Sequence, residues 1–176
     1  MKKKDTKTIS DKFSKAILLL NLCLASIGIK AQSPLYSFSQ NAGTYSAITG
    51  GTVYSSGGTM DDLLFSFALP FTYTFNTIPY TSGFASENGY ISFGTTVPNV
   101  STRRVISNVQ TGFQAAAPFA HDLGGLTASS EMRGEILGSA PNRTFVVQWS
   151  NMAEYLATSS SFNFQLRINE RHNQPT

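Results

Sequence analysis

The sequence predicts an all-β protein, an antiparallel β-sandwich of jelly-roll or Greek-key type, preceded by a helical signal peptide that is cleaved. Three observations predict it. Apolar and polar residues alternate with a period of two in many short runs. Turn residues separate about ten such runs at spacings of roughly 8–12 residues, as in sandwiches and barrels. Beyond the N-terminal segment no long stretch has the 3.6-residue period of a helix.

The first 31 residues have the order of a secretory signal peptide. A lysine-rich region precedes the 14-residue apolar run AILLLNLCLASIGI, and Ala31 supplies a small residue for cleavage before Gln32. The run is shorter than the roughly 20 apolar residues that span a membrane; an uncleaved N-terminal anchor is the alternative. We therefore expect residues 1–31 to be removed, no membrane span to remain, and the protein to be secreted or displayed at the cell surface.

Loss of the signal peptide changes the charge of the chain. Seven of the 13 Lys and Arg residues, all of them lysines, and two of the 10 Asp and Glu residues lie in it, so the net charge falls from +3 to −2. The remaining basic residues are six arginines, which form no basic patch that would predict a nucleic-acid partner. The single cysteine, Cys23, also lies in the signal, so neither a disulfide nor a reactive thiolate is expected in the mature chain.

Residues 32–170 are expected to form one domain, followed by a polar tail at residues 171–176. In the first half of the domain, strands are predicted around Tyr36 and Phe38, around Val53, and at residues 44–48, 63–69, 71–75, 80–86 and 90–93. Pro70 separates two of these strands because proline cannot donate to a β-ladder. Asn88 and Gly89 both tolerate positive φ, so they predict a tight hairpin turn.

The second half of the domain has a weaker start and a clearer end. Strands are predicted at residues 104–106, 113–119, 132–137, 144–149 and 162–169, separated by turns or loops. The run at 113–119 is expected to enter a loop at Gly124 and Gly125. Residues 151–161 are expected to form a loop with a helical turn around residues 153–157.

Four segments carry a resemblance to known proteins: PFTYTFNTIPYTSGFASENGYISFG, APFAHDL, GSAPNRTFVVQW and FNFQLRINE. As a set they resemble a domain near the N-terminus of large secreted and cell-surface proteins of Bacteroidetes, which often carry a type IX secretion sorting domain. The element NGYISFG is also similar to the nidogen-type extracellular domain of adhesive proteins. The resemblance covers most of residues 33–170. It implies a secreted β-sandwich without catalytic residues, and it implies further strand pairs after FQLRIN, so the domain is expected to be truncated at its C-terminus.

Acidic residues in predicted loops are candidate calcium ligands. Extracellular β-modules can use calcium to pin their loops, and the candidate ligands are Asp122 first, with Asp61 and Asp62. Glu87 and Asn88 supply further oxygens in or near loops, and calcium takes 6–8 oxygen ligands. No EF-hand spacing is present, and no other cofactor is expected.

Two clusters contain residue types found in catalytic sites, and neither predicts an enzyme. His121 and Asp122 are the residue types of a Ser-His-Asp triad, but no nucleophile-elbow sequence accompanies them, and a triad is defined by geometry. Glu131 and Glu135 share a strand face, but about 13 Å apart at about 3.3 Å per residue. Glycosidase carboxylates lie roughly 5–9.5 Å apart.

The sequence therefore favours a non-catalytic module, used for adhesion or for interaction with a protein or glycan at the cell surface. The alternative is a carbohydrate-binding module associated with a secreted hydrolase. For either, tyrosines offer flat amphipathic contact surfaces. The candidates are Tyr54, Tyr80, Tyr90 and Tyr155.

Overall fold

The structure, a computed structural model, describes residues 38–103, 105, 114–157 and 159–170. The expected signal peptide, the polar tail and Tyr36 lie outside the described residues, as do both ends of the expected strand at 104–106. None of the described residues lies in an α-helix, and from Asn41 onward they belong to one compact unit. The strands are β1 Thr52–Ser56, β2 Leu64–Phe75, β3 Ile78–Ser86, β4 Tyr90–Phe93, β5 Gln114–Ala116, β6 Leu123–Gly125, β7 Glu131–Leu137, β8 Thr144–Glu154 and β9 Phe162–Asn169.

The strands form two antiparallel sheets, which confirms the predicted sandwich. Sheet 1 contains β1, β7, β8, β6 and β9, and β8 is its central strand because it pairs with β7, β6 and β9. Met152 pairs with Gly125 of β6 and with Phe162 of β9, so β6 and β9 lie on opposite edges of β8. Sheet 2 has the order β2-β3-β4-β5, which is the meander that the sequence predicts.

The core lies between the two sheets, on the faces that the period-two pattern assigns to it. The ring of Phe67 on β2 packs against the ring of Phe145 on β8, with 4.8 Å between their centroids. Trp149 is fully buried, and its indole N–H donates to the carbonyl of Ser86 at 2.9 Å. Apolar burial and this hydrogen bond therefore join sheet 1 to sheet 2.

Pro70 does not separate two strands as expected. β2 runs through it, with a register shift in its pairing to β3 between Ala68 and Tyr73. Pro70 is exposed, and β2 is an edge strand. A proline at a bulge in an edge strand interrupts little of the ladder, so the strand continues.

The predictions for residues 113–125 and 151–157 were partly wrong. β5 covers only Gln114–Ala116 of the expected longer run, and β8 continues past Trp149 to Glu154. A turn follows in place of the expected helical turn, closed by a hydrogen bond from the amide of Ala157 to the carbonyl of Glu154 at 2.9 Å. The residues expected to form a loop at Gly124 form β6, because they pair with this extension of β8.

The segment at residues 46–50, which we name the strap, is not the predicted strand. Its backbone groups are bound by outward-facing side chains of sheet 1 instead of by a neighbouring strand. Gln148 accepts a hydrogen bond from the amide of Ile48 at 2.8 Å and donates to its carbonyl at 3.2 Å. The other partners of the strap are Gln165 at Ser46, Arg133 at Thr49 and Gly50, and Glu135 at Gly50. The alternating Thr-Tyr-Ser-Ala-Ile pattern therefore marked a segment laid across a sheet.

Candidate functional site

The three predicted calcium ligands come together in the fold. Asp61 and Asp62 lie in the loop between β1 and β2, and Asp122 immediately precedes β6. One carboxylate oxygen from each lies within 4.8 Å of the other two, and all three residues are half-buried. We name Asp61, Asp62 and Asp122 the acid cluster. Such oxygens suit a hard cation, and calcium binding there stays a prediction.

Two glycines of β6 bring the β1–β2 loop to this position. Asp61 forms an isolated antiparallel bridge with Gly124, and the amide of Gly125 donates to the carbonyl of Met60 at 3.1 Å. A Cβ on Gly125 would lie only 2.0 Å from the carbonyl oxygen of Gly57. The glycines therefore permit the close approach that sets Asp61 beside Asp122.

Asn88 fastens the two loops of the acid cluster to the β3–β4 hairpin. It is fully buried; its Nδ2 donates to Oδ1 of Asp62 at 2.8 Å, and its Oδ1 accepts from the amide of Leu123 at 3.0 Å. Of the pair Asn88-Gly89, only Gly89 has a positive φ, at 74°. The predicted hairpin turn is therefore present between β3 and β4, with a positive φ at the glycine, and the asparagine side chain also connects the loops.

Glu87 does not join the acid cluster. It is fully buried, its Oε2 accepts from the amide of Leu63 at 3.0 Å, and its own amide donates to the carbonyl of Leu63 at 3.1 Å. These contacts extend the pairing of β2 with β3 beyond the end of the ladder. Glu87 therefore joins the end of β3 to the start of β2.

Arg103 bridges two members of the acid cluster. Its guanidinium pairs with Oδ2 of Asp62 at 3.2 Å and with Oδ2 of Asp122 at 2.9 Å. No sequence pattern predicts this contact, because Arg103 lies 41 residues from Asp62 and its pairing depends on which loops meet. Arg104 lies outside the described residues. The bridge leaves three carboxylates opposed by one guanidinium, so the cluster keeps a surplus of negative charge.

The electrostatics of the cluster are those of crowded acids. Burial, followed by the charge of Asp62, raises the pKa of Asp61, while a hydrogen bond from the Tyr155 hydroxyl opposes that rise. The charge of Asp61 in turn raises the pKa of Tyr155. Within the described residues, Oδ1 of Asp61 and Oδ1 of Asp122 are buried and accept no hydrogen bond. The cluster therefore retains acceptor capacity for a ligand or for water.

A groove of about 420 Å³ opens beside the acid cluster. Asp61 and Tyr155 belong to its lining, which comprises residues 58–61, 124–126 and 153–157. Leu156 lies at the tip of the turn after β8 and is 80% exposed. Its φ is 64°, a backbone conformation that residues other than glycine rarely adopt. A volume of this size falls in the range of small-molecule sites, roughly 300–1,000 Å³.

The four candidate tyrosines lie in different environments. Tyr155 is 41% exposed in the groove, whereas Tyr90 is fully buried and is therefore excluded as a contact residue. Tyr54 is half-buried and stacks on Phe65 with ring centroids 5.9 Å apart. Tyr80 lines a second groove of about 400 Å³, which is formed by residues 78, 80, 93–96 and 114.

The two clusters of catalytic residue types, His121 with Asp122 and Glu131 with Glu135, make structural contacts. The imidazole Nδ1 of His121 lies 3.3 Å from the carbonyl oxygen of Asp122, while the Asp122 carboxylate pairs with Arg103. The carboxylate of Asp122 therefore does not orient the imidazole as the acid of a triad does. Arg133 lies between the two strand glutamates and pairs with Glu131, and Glu135 accepts from the strap at Gly50.

The chain is similar to a known family of protein domains. The family model described as NIDO related matches residues 35–174, which is most of the chain. No curated protein and no solved structure matches the chain. The described part of the chain holds no apolar helix of the length that a bilayer crossing needs. NIDO-related domains are non-enzymatic modules that are typically extracellular. The match, over a two-sheet antiparallel scaffold, shows that the chain belongs to the NIDO-related family.

Proposed function

We propose that the protein is a non-catalytic, secreted or cell-surface module of Bacteroidetes type that mediates adhesion or interaction, and that it binds its partner at the acid cluster and the adjoining groove. One observation carries the proposal. Loops from both sheets are fastened together there, by Asn88 and Arg103, around charged groups that retain acceptor capacity. Binding sites are commonly built on loops that a rigid scaffold positions.

The test is a binding screen with the protein purified after secretion. Immobilised fibronectin, collagen, laminin, mucin and several polysaccharides are presented in parallel, in calcium and in EDTA. We expect saturable binding to at least one of them, weakened by Asp122→Asn. A signal lost in EDTA would support calcium at Asp61, Asp62 and Asp122. An equal signal in both buffers would remove calcium from the proposal.

Catalysis is the outcome that would overturn this proposal. The protein is incubated with a panel of ester, peptide and glycoside substrates, beside a His121→Ala variant. We expect no turnover by either protein. Turnover by the wild type that His121→Ala abolishes would make the protein a hydrolase.

A second candidate function, a carbohydrate-binding module associated with a secreted hydrolase, is favoured by a specific observation. Tyr155 offers an exposed aromatic ring in the groove beside a carboxylate. An aromatic ring beside a hydrogen-bonding group is an arrangement that suits an amphipathic ligand.

A further inference from the structure

The ring of Tyr155 lies against the backbone of β6. A Cβ on Gly124 would lie 3.3 Å from Cδ2 of the ring, and Gly124 has no side chain to fill that space. The amide of Tyr155 donates to the carbonyl of Asp122 at 2.9 Å, which fixes the residue at its backbone. The ring therefore has support on one side, while Tyr155 as a whole is still 41% exposed. This is the arrangement of a platform for a flat ligand.

Asp61 and Tyr155 both line the groove, and the charge of the Asp61 carboxylate raises the pKa of the Tyr155 hydroxyl. An aromatic face and a carboxylate thus border one open space of about 420 Å³. Glycines at positions 58, 124 and 125 keep the lining low, so a ligand can approach the ring from the side. The groove combines one apolar surface with one strong hydrogen-bond acceptor.

A sugar ring has the complementary chemistry. One face of a pyranose presents C–H groups that pack on an aromatic ring, and its hydroxyls donate well to a carboxylate. A cationic peptide is less well suited, because the Arg103 guanidinium already pairs with Asp62 and Asp122 and offsets part of the negative charge that would attract it. We propose that the groove beside Tyr155 binds a saccharide, with a pyranose ring stacked on Tyr155 and a hydroxyl donating to Asp61. This inference rests on the proposed function and names its ligand class.

The experiment is calorimetric titration of the purified protein with soluble cello-, xylo-, malto-, laminari-, manno- and chito-oligosaccharides. At least one is expected to bind saturably. Tyr155→Ala should weaken that binding about tenfold, the order of magnitude of a lost aromatic contact. Tyr155→Phe, which keeps the ring and removes the hydroxyl, should lose much less. Tyr45→Ala is the matched control, because Tyr45 is 45% exposed and does not line the groove.

Leu156→Ala separates a saccharide from an apolar protein partner. A stacked sugar makes little use of Leu156, so the affinity for the oligosaccharide should change less than twofold. A protein partner that docked on this turn would instead lose its contact with Leu156, which is 80% exposed. The buried Trp149 reports by fluorescence that each variant is folded.

The outcomes distinguish this inference from the function on which it rests. Failure of every oligosaccharide to bind the folded wild type would overturn the saccharide assignment, while binding to a matrix protein in the screen would leave the interaction module standing. Oligosaccharide binding that folded Tyr155→Ala retains in full would overturn the site and leave carbohydrate binding standing.

Discussion

At the scale of single residues, the acid cluster depends on Asn88, a buried residue that lies outside the cluster and contacts both of its loops. Replacing Asn88 by alanine leaves the buried amide of Leu123 without its acceptor and removes the donor to Oδ1 of Asp62, which keeps its contact with Arg103 through Oδ2. An unsatisfied buried group costs about 1–3 kcal/mol, so we expect Asn88→Ala to lower the free energy of unfolding by about 2 kcal/mol or more. Urea unfolding followed by Trp149 fluorescence measures it.

Asn88→Asp is the informative companion of that variant. It keeps an acceptor for the amide of Leu123 but replaces the donor to Asp62 by a further carboxylate. We expect this variant to be destabilised at neutral pH and to recover as the carboxylates protonate on acidification. Wild-type stability of Asn88→Asp at neutral pH would show that the contact with Asp62 contributes little.

A second residue-scale prediction concerns pH. The Arg143 guanidinium beside Glu170, with Nη2 2.6 Å from Oε1, holds the pKa of Glu170 at about 2, below its ordinary 4.5. A lowered pKa in the folded state means that the ionised pair stabilises the fold fully above pH 4.5 and loses that effect as the pH falls towards 2. The Tm difference between wild type and Glu170→Gln should therefore be constant at neutral pH and close over this acidic range. The exposed Glu154→Gln is the control, and a difference that persists at pH 2 would contradict the assignment.

Residue type and loop position were enough to predict the members of the acid cluster, because acids in the loops of an extracellular β-module are plausible ligands. They were not enough to predict Arg103 or Asn88. Those contacts depend on which loops meet, and that follows from the pairing of β6 with β8 and not from any local pattern. Asn88 was read as a turn residue because the Asn-Gly pair is a common hairpin signal.

At the scale of elements, the strap shows how outward-facing polar residues of a sheet can be structural. Gln148 is 2% exposed, although the alternation of β8 places it on the outer face, because the strap covers it. Gln148→Leu removes both hydrogen bonds to Ile48 and should loosen the middle of the strap, whose ends keep their contacts with Gln165 and Arg133. Since a neutral hydrogen bond contributes about 1 kcal/mol, we expect hydrogen exchange at the Ile48 amide to accelerate roughly tenfold or more.

Amides within the β7–β8 ladder provide the internal reference for this exchange measurement. They should keep their protection in Gln148→Leu, because the ladder does not depend on the strap. Gln165→Leu is the comparison variant: it loses the bond to the strap at Ser46 and a bond to Oε1 of Gln148, but it keeps both bonds at Ile48. Equal exchange at Ile48 in Gln148→Leu and wild type would show that the strap is held by other contacts.

The elements that period-two alternation predicted well are those with one face in the core, such as β9 and the meander of sheet 2. Alternation failed where a strand was set by its partner. β6 has only three residues, two of them glycines, and it forms because β8 extends beside it. The strand prediction for the strap was wrong for the opposite reason: its sequence alternates like a strand, but its backbone is bound by side chains.

At the scale of the whole molecule, the two sheets are expected to unfold together, and the single tryptophan can report it. Trp149 stacks on Phe164 of sheet 1, with ring centroids 4.8 Å apart, and donates to Ser86 of sheet 2. Loss of contact between the sheets therefore changes its fluorescence even if the strands persist. We predict that denaturation curves from Trp149 fluorescence and from far-UV circular dichroism coincide, as in a two-state transition.

Trp149→Phe tests the same interface from the other side. It removes the indole N–H, leaves the buried carbonyl of Ser86 without this donor and reduces the volume of the core, so the free energy of unfolding should fall by about 3 kcal/mol or more. Circular dichroism measures this loss, since the variant has no tryptophan. In the wild type, a fluorescence transition at lower denaturant than the circular dichroism transition would mean that the sheets separate before their strands unfold. The sandwich would then be two weakly coupled sheets, and the acid cluster, which draws on loops from both, would be lost first.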